Sequence, residues 1–140
     1  MTFPAEVNPP SLVVVVAEDE ALIRMMAVDA LTGAGFVVIE AGHAAGALAV
    51  LASQSNGVHV LFTDIHMPGP MNGLELAHHV HNRWPWIAVI MASGKARPLA
   101  AELPDGSRFL SKPYDPVHIV KHVRELVAAG GLKLRSGATR

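Results

Sequence analysis

The chain has 140 residues, 51% apolar and 16% charged, with a net charge of −1 and no cysteine. Such a chain folds as about one domain around a single core and is no disordered tail. It lacks the basic excess of a broad nucleic-acid surface, and without cysteine it excludes disulfides, thiolate metal sites and cysteine nucleophiles. No apolar run approaches the roughly 20 residues of a membrane span, the longest at the start being LVVVVA. The N-terminus MTFPAEVNPP has three prolines and no basic residue, so it does not read as a signal peptide. Residues 1–11 are read as a flexible lead-in, and a cytoplasmic location is expected.

In chain order, LVVVVA (12–17) is a continuous β-branched run, the mark of a strand covered on both faces. A helical pattern follows, with Ile23, Ala27, Ala30 and Ala34 on one face and Gly35 as its stop. FVVIE (36–40) reads as a second strand and AAGALAVLAS (44–53) as a helix rich in small residues. VHVLFT (58–63) is a third strand, and a helix over 73–84 carries Leu74, Ala77 and Val80/His81 before Pro85. IAVIMA (87–92) and RFLS (108–111) are the remaining strands. Between them, Pro98 and Pro104 leave room for a helix of only about two turns. The last helix starts at Pro116, stripes Val117, Val120, Val123 and Val127, and is expected to stop at Gly130, leaving 130–140 as a short basic tail. The βα alternation over 12–129 predicts one α/β domain: a doubly wound parallel sheet with helices on both faces and a switch point beyond the strands' carboxyl ends.

The residues just after the strands are unusually polar. Strand one is followed by Glu18, Asp19 and Glu20, strand three by Asp64, strand four by Ser93, and strand five by Lys112. Several carboxylates in one small site repel each other, so they protonate or bind a cation, and oxygen donors without cysteine suit Mg²⁺. A lysine beside them supplies a compact charge for phosphate or for one central carboxylate. Asp19 or Glu20 could alternatively do no more than cap the helix that follows. Asp64 at a strand tip is placed as a nucleophile or ligand, with Pro68, Gly69, Pro70 and Gly73 fixing the loop behind it.

The pieces VVVVAEDE, LFTDIHMPGPMNGLELA, VIMASG and RFLSKPY together resemble the receiver domain of bacterial response regulators, the phosphoacceptor half of two-component signalling. The resemblance implies a flavodoxin-like (βα)5 fold with strand order 2-1-3-4-5 over residues 12–129. It implies Asp64 as phosphoacceptor, and Mg²⁺ held by Asp19, Glu18, Asp64 and the backbone carbonyl of His66. Ser93 and Lys112 would contact the phosphoryl group, Phe109 would be the switch aromatic, and His66 and Lys95 would tune the phosphoryl lifetime. The partners implied are a histidine kinase or a histidine phosphotransfer protein, with homodimerisation left open. The chain departs from the family pattern in Glu18 for the more frequent aspartate and Phe109 for the common tyrosine. The loop MPGPMNG is also one residue longer than the simplest version, and the fourth helix is short.

Three functions compete: a stand-alone phosphorylation switch, a receiver-like interaction module that takes no phosphate, and an Mg²⁺-dependent phosphohydrolase with an aspartyl-phosphate intermediate. Against the last, the second acid expected two residues past the nucleophile is His66. An enzyme acting on an external substrate is therefore not expected. The histidine pairs His78/His81 and His118/His122 are helically spaced, but exposed polar positions explain them more simply than a metal. Trp84 and Trp86, around Pro85, are expected to pack the helix-to-strand connection.

Overall fold

A computed structural model describes residues 12–95 and 97–139, with side chains up to residue 129. The expected lead-in, residues 1–11, lies outside the described residues. In chain order the elements are β1 (Val13–Ala17), α1 (Ala21–Gly33), β2 (Val37–Ala41), α2 (Ala44–Gln54), β3 (Val60–Asp64), α3 (Gly73–Arg83), β4 (Ala88–Ser93), β5 (Arg108–Ser111) and α4 (Pro116–Thr139). The strands form one parallel sheet in the order β2-β1-β3-β4-β5, the flavodoxin-like arrangement. The order reverses between β1 and β3, so their carboxyl ends open a crevice.

Alternation along the strands feeds two cores. Val15, Ala17, Leu61, Val89 and Met91 pack against Ala47 and Leu51 of α2 and Leu76, Ala77 and Val80 of α3. Val14, Val16, Phe62, Ile90 and Ala92 pack on the other face against Ala27 and Leu31 of α1 and Ile119, Val120 and Val123 of α4. Both faces are dry, which is why the strand sequences are continuously apolar.

Local signals set the helix starts. Asn72 and Glu75 cap α3 reciprocally: the Asn72 side chain accepts from the Glu75 N–H (2.8 Å) and the Glu75 carboxylate from the Asn72 N–H (2.9 Å). His43 caps α2, its Nδ1 accepting from the Gly46 N–H at 2.9 Å. Trp84 is buried, and Trp86 donates its indole N–H to the Ser55 carbonyl (3.1 Å), so both hold the connection from α3 to β4 as expected.

Three expectations change. The segment between β4 and β5 forms only the 3-10 turn Ala100–Glu102, because prolines six residues apart leave no run in which i→i+4 bonds propagate. On α4 the buried stripe is Ile119, Val120 and Val123, while Val117 is 57% exposed. At 100° per residue Val117 falls roughly 110° from the centre of that stripe. Finally, α4 does not stop at Gly130 but continues to Thr139, since Gly130 and Gly131 cost a helix only about 1 kcal/mol each and the good helix formers Leu132 to Arg135 follow.

Candidate functional site

The loop between β1 and α1 is three residues long, Glu18 to Glu20. Every polar atom of Glu18 is engaged. Its N–H donates to the Ala41 carbonyl (3.1 Å) and its carbonyl accepts from Arg24 Nη1 (2.7 Å). Its Oε1 accepts from Lys112 Nζ (2.8 Å) and its Oε2 from the Glu20 N–H (3.1 Å). Glu20 stands at the N-cap of α1 without a side-chain capping bond, so capping is not what this acidic run does with its side chains. Asp19 is exposed.

Asp64 ends β3 and is only 6% exposed. Its backbone is fixed from two sides: Thr63 Oγ1 donates to its carbonyl (2.9 Å), and the Ile65 N–H donates to Ala92 of β4 (2.9 Å). The loop then returns so closely that the Gly73 N–H donates to the Ile65 carbonyl at 2.8 Å. A Cβ at position 73 would lie 1.7 Å from the Asp64 carbonyl oxygen, so glycine is obligatory there. Gly69, in the same loop, has φ +111°, a conformation open to glycine and strained for other residues.

Ser93 closes β4, 1% exposed, and its Oγ accepts from the Lys95 N–H (3.0 Å). The Lys112 N–H donates to the Ser93 carbonyl (2.8 Å), which draws the tip of β5 beside that of β4. Lys112 Nζ also stands 3.1 Å from Asp64 Oδ1, so one ammonium bridges Glu18 and Asp64. Carboxylate oxygens of Glu18, Asp19 and Asp64 all lie within 4.8 Å of one another, the arrangement that could hold a metal ion.

Burial dominates the electrostatics. It pushes the carboxyls of Glu18 and Asp64 above the ordinary carboxylate range, and the hydrogen bonds from Lys112 offset this only in part. Burial alone would lower Lys112, but its bonds to the two carboxylates outweigh that and raise it. Three carboxylates against one ammonium leave about two negative charges, matched by one divalent cation, and the donors are all hard oxygens. The residues therefore fit Mg²⁺.

His66 is exposed two residues past Asp64, close enough that its charge favours the ionised carboxylate. Lys95 is exposed beside Ser93. Phe109 is partly buried, with the Arg97 guanidinium 5.0 Å over its ring. The fold thus brings Glu18, Asp19, Asp64, Ser93 and Lys112 to one rim and keeps Phe109 on the neighbouring strand. The histidine pairs join no metal-holding group among the described residues; His78 donates to the Glu102 carbonyl (2.6 Å), and His122 accepts from Arg108 (3.1 Å).

Two residues escaped the sequence reading. Arg24 touches the site only through a backbone carbonyl, and only its place one turn into α1, behind an acidic loop, could have hinted at this. Tyr114 packs edge-on against Phe62 (5.8 Å between centroids), and its hydroxyl is buried without a hydrogen-bond partner. Burial first, and then the charge of Glu18, push that hydroxyl up to about 12. Its place two residues after Lys112 was the available signal.

A family model described as the response regulator receiver domain matches residues 14–124. The chain belongs to that family. This receiver is 32% identical over 120 residues to the sensor kinase CckA of Brucella abortus, covering 84% of the chain and 13% of the relative. It is 33% identical over 102 residues to the hydrogenase transcriptional regulatory protein HoxA of Cupriavidus necator, covering 70% and 20%. The receiver therefore spans a small part of either relative. Among solved structures, a response regulator receiver protein from Sinorhizobium medicae matches with TM-score 0.75 and 28% identity, covering 85% of this chain and 96% of that one. A receiver domain protein from Methanospirillum hungatei matches in fold with TM-score 0.79 and 22% identity, covering 89% and 99%. No helix among the described residues is long and apolar enough to cross a membrane.

Proposed function

We propose that this receiver is a phosphorylation switch that takes a phosphoryl group onto Asp64 from the phosphohistidine of a histidine kinase or phosphotransfer protein. The observation that carries the reading is the bridge from Lys112 to Glu18 and Asp64, at 2.8 and 3.1 Å, with Asp19 in the same carboxylate group. Asp64 Oδ forms the new P–O bond as the donor's P–N bond breaks, and the departing imidazole takes up a proton. Mg²⁺ held by Glu18, Asp19, Asp64 and the His66 carbonyl would neutralise charge on the phosphoryl oxygens.

The chain's own groups do the rest. Lys112 has a third N–H beyond the two carboxylates it meets, and turns it to a phosphoryl oxygen. Ser93 already accepts from Lys95, so its own hydroxyl proton is available to donate to the phosphoryl group. Ser93 moving inward biases the segment that follows β4, and Phe109 responds by packing, having no hydroxyl. If the inactive form predominates by about 100 to 1, near-complete switching takes about 5.5 kcal/mol. His66 and Lys95 flank the phosphoryl group and set its lifetime. Leu22, Met25 and Met26 of α1 and Val117 of α4, 67, 56, 48 and 57% exposed, offer apolar contacts for docking of the phosphodonor. The receiver turns over no external substrate, acts through protein contacts and works in the cytoplasm.

Incubation with a small acyl phosphate and Mg²⁺ is expected to add one phosphoryl mass to the intact protein. Chelating the metal, or Asp64→Ala, is expected to abolish the gain. An unmodified mass with the fold retained would reject the reading in favour of a phosphate-independent module.

A further inference from the structure

The Arg24 side chain makes two contacts at once. Its Nε donates to Glu40 Oε1 at the end of β2 (3.0 Å), and its Nη1 donates to the Glu18 carbonyl (2.7 Å). As a surface ion pair the first contact is unremarkable: Glu40 is 54% exposed, and such pairs contribute little. The second contact is different, because its acceptor is the main chain of a residue 1% exposed inside the acidic group.

We propose that Arg24 is a positioning residue for the cation-holding carboxylates, with Glu40 fixing the plane of its guanidinium; the inference rests on the Mg²⁺ reading above. In a trans peptide the carbonyl and the next N–H point in opposite directions. Holding the Glu18 carbonyl towards Arg24 therefore turns the Asp19 N–H away from it and fixes the plane from which the Asp19 side chain leaves. The loop has only three residues, and no side-chain capping bond anchors it to α1. Arg24 ties it to the helix and, through Glu40, to β2. The guanidinium suits this because its donors form a rigid planar fork; an ammonium at position 24 could reach one acceptor or the other without fixing their relative direction.

The sign of one measurement separates this role from a bystander charge. By Coulomb attraction alone, removing a cation beside an anionic group tightens the binding of another cation. If Arg24 positions the loop, removing it weakens binding instead. The probe is Mn²⁺ or Mg²⁺ alone, titrated calorimetrically into the intact protein, with the fold followed by circular dichroism and thermal melting. Asp19→Asn serves as the control for the site.

Arg24→Gln is expected to weaken cation affinity at least about tenfold, in the range seen for groups that orient metal ligands. Arg24→Lys is expected to recover part of that loss, and Glu40→Gln to weaken binding less than Arg24→Gln. Equal or tighter binding by a folded Arg24→Gln protein would overturn the positioning role while leaving the site reading intact. If Arg24→Gln does not fold, Arg24→Lys decides: it keeps the charge, so binding weaker than wild type supports the positioning role and unchanged binding overturns it. A wild-type protein that binds no cation, or binds it unaffected by Asp19→Asn, would overturn the site reading and the clamp with it.

Discussion

Any residue but glycine at position 73 would set its Cβ 1.7 Å from the Asp64 carbonyl oxygen and 2.9 Å from the Ile65 Cα, both backbone atoms. Gly73→Ala must therefore move the tip of β3 or the start of α3, at a cost of about 1–3 kcal/mol or more. Chemical denaturation should read that loss, and labelling by acyl phosphate should slow; a variant matching the wild type in both would contradict the contact. The pH dependence of stability follows from Glu18 and Asp64. Both hold protons to higher pH in the folded chain than in the unfolded one, so the folded state binds more protons. Stability then falls as pH rises from the ordinary carboxylate range through the raised values. Asp64→Asn is expected to melt higher than wild type near neutral pH without divalent cation, and to lose part of that slope; identical melting profiles would refute a cost of burying the Asp64 charge. Asp19, Asp64, Ser93 and Lys112 were legible in the sequence because residues following parallel strands must meet at one edge. Arg24 and the Tyr114 hydroxyl were not, because one acts on main chain and the other is defined by burial, and neither leaves a pattern in residue types.

Elements were legible in proportion to their periodicity. Four of the five strands announced themselves as β-branched runs, and RFLS, without a β-branched residue, still matched β5 residue for residue. The face of α4 was harder, because Val117, Ile119, Val120 and Val123 are all apolar and only the packing against the sheet selects among them. Ile119 is fully buried and Val117 is 57% exposed. Ile119→Ala should thus cost about 2–5 kcal/mol, whereas Val117→Ala should stay within about 0.5 kcal/mol. Equal losses on denaturation would show that the stripe lies elsewhere. The segment before β5 was read as a helix of about two turns and forms a single 3-10 turn instead. That turn is tethered by the Arg97–Phe109 stack, the His78 bond to the Glu102 carbonyl and the Glu102 carboxylate accepting from the Leu99 N–H at 2.7 Å. The first two pairings have no local sequence signature, since they join residues 12 and 24 positions apart.

Taken as a whole, the molecule is polarised along its strands. Charge gathers at the carboxyl ends, where Glu18, Asp64 and Lys112 meet, and the two tryptophans stand at the amino end of β4. Trp84 and Trp86, the chain's two tryptophans, lead into β4, whose far end is Ser93. Six residues of strand separate the two ends, roughly 20 Å at the rise of an extended chain. The consequence is optical. Indole emission from this protein should be nearly silent to cation or phosphoryl binding at the rim, yet should change sharply when the sheet comes apart. A titration with Mg²⁺ and a phosphoryl mimic that left emission flat, followed by a denaturant titration that shifted it, would agree with this separation. A large emission change in the first titration would mean that events at the rim are felt along the whole length of the sheet.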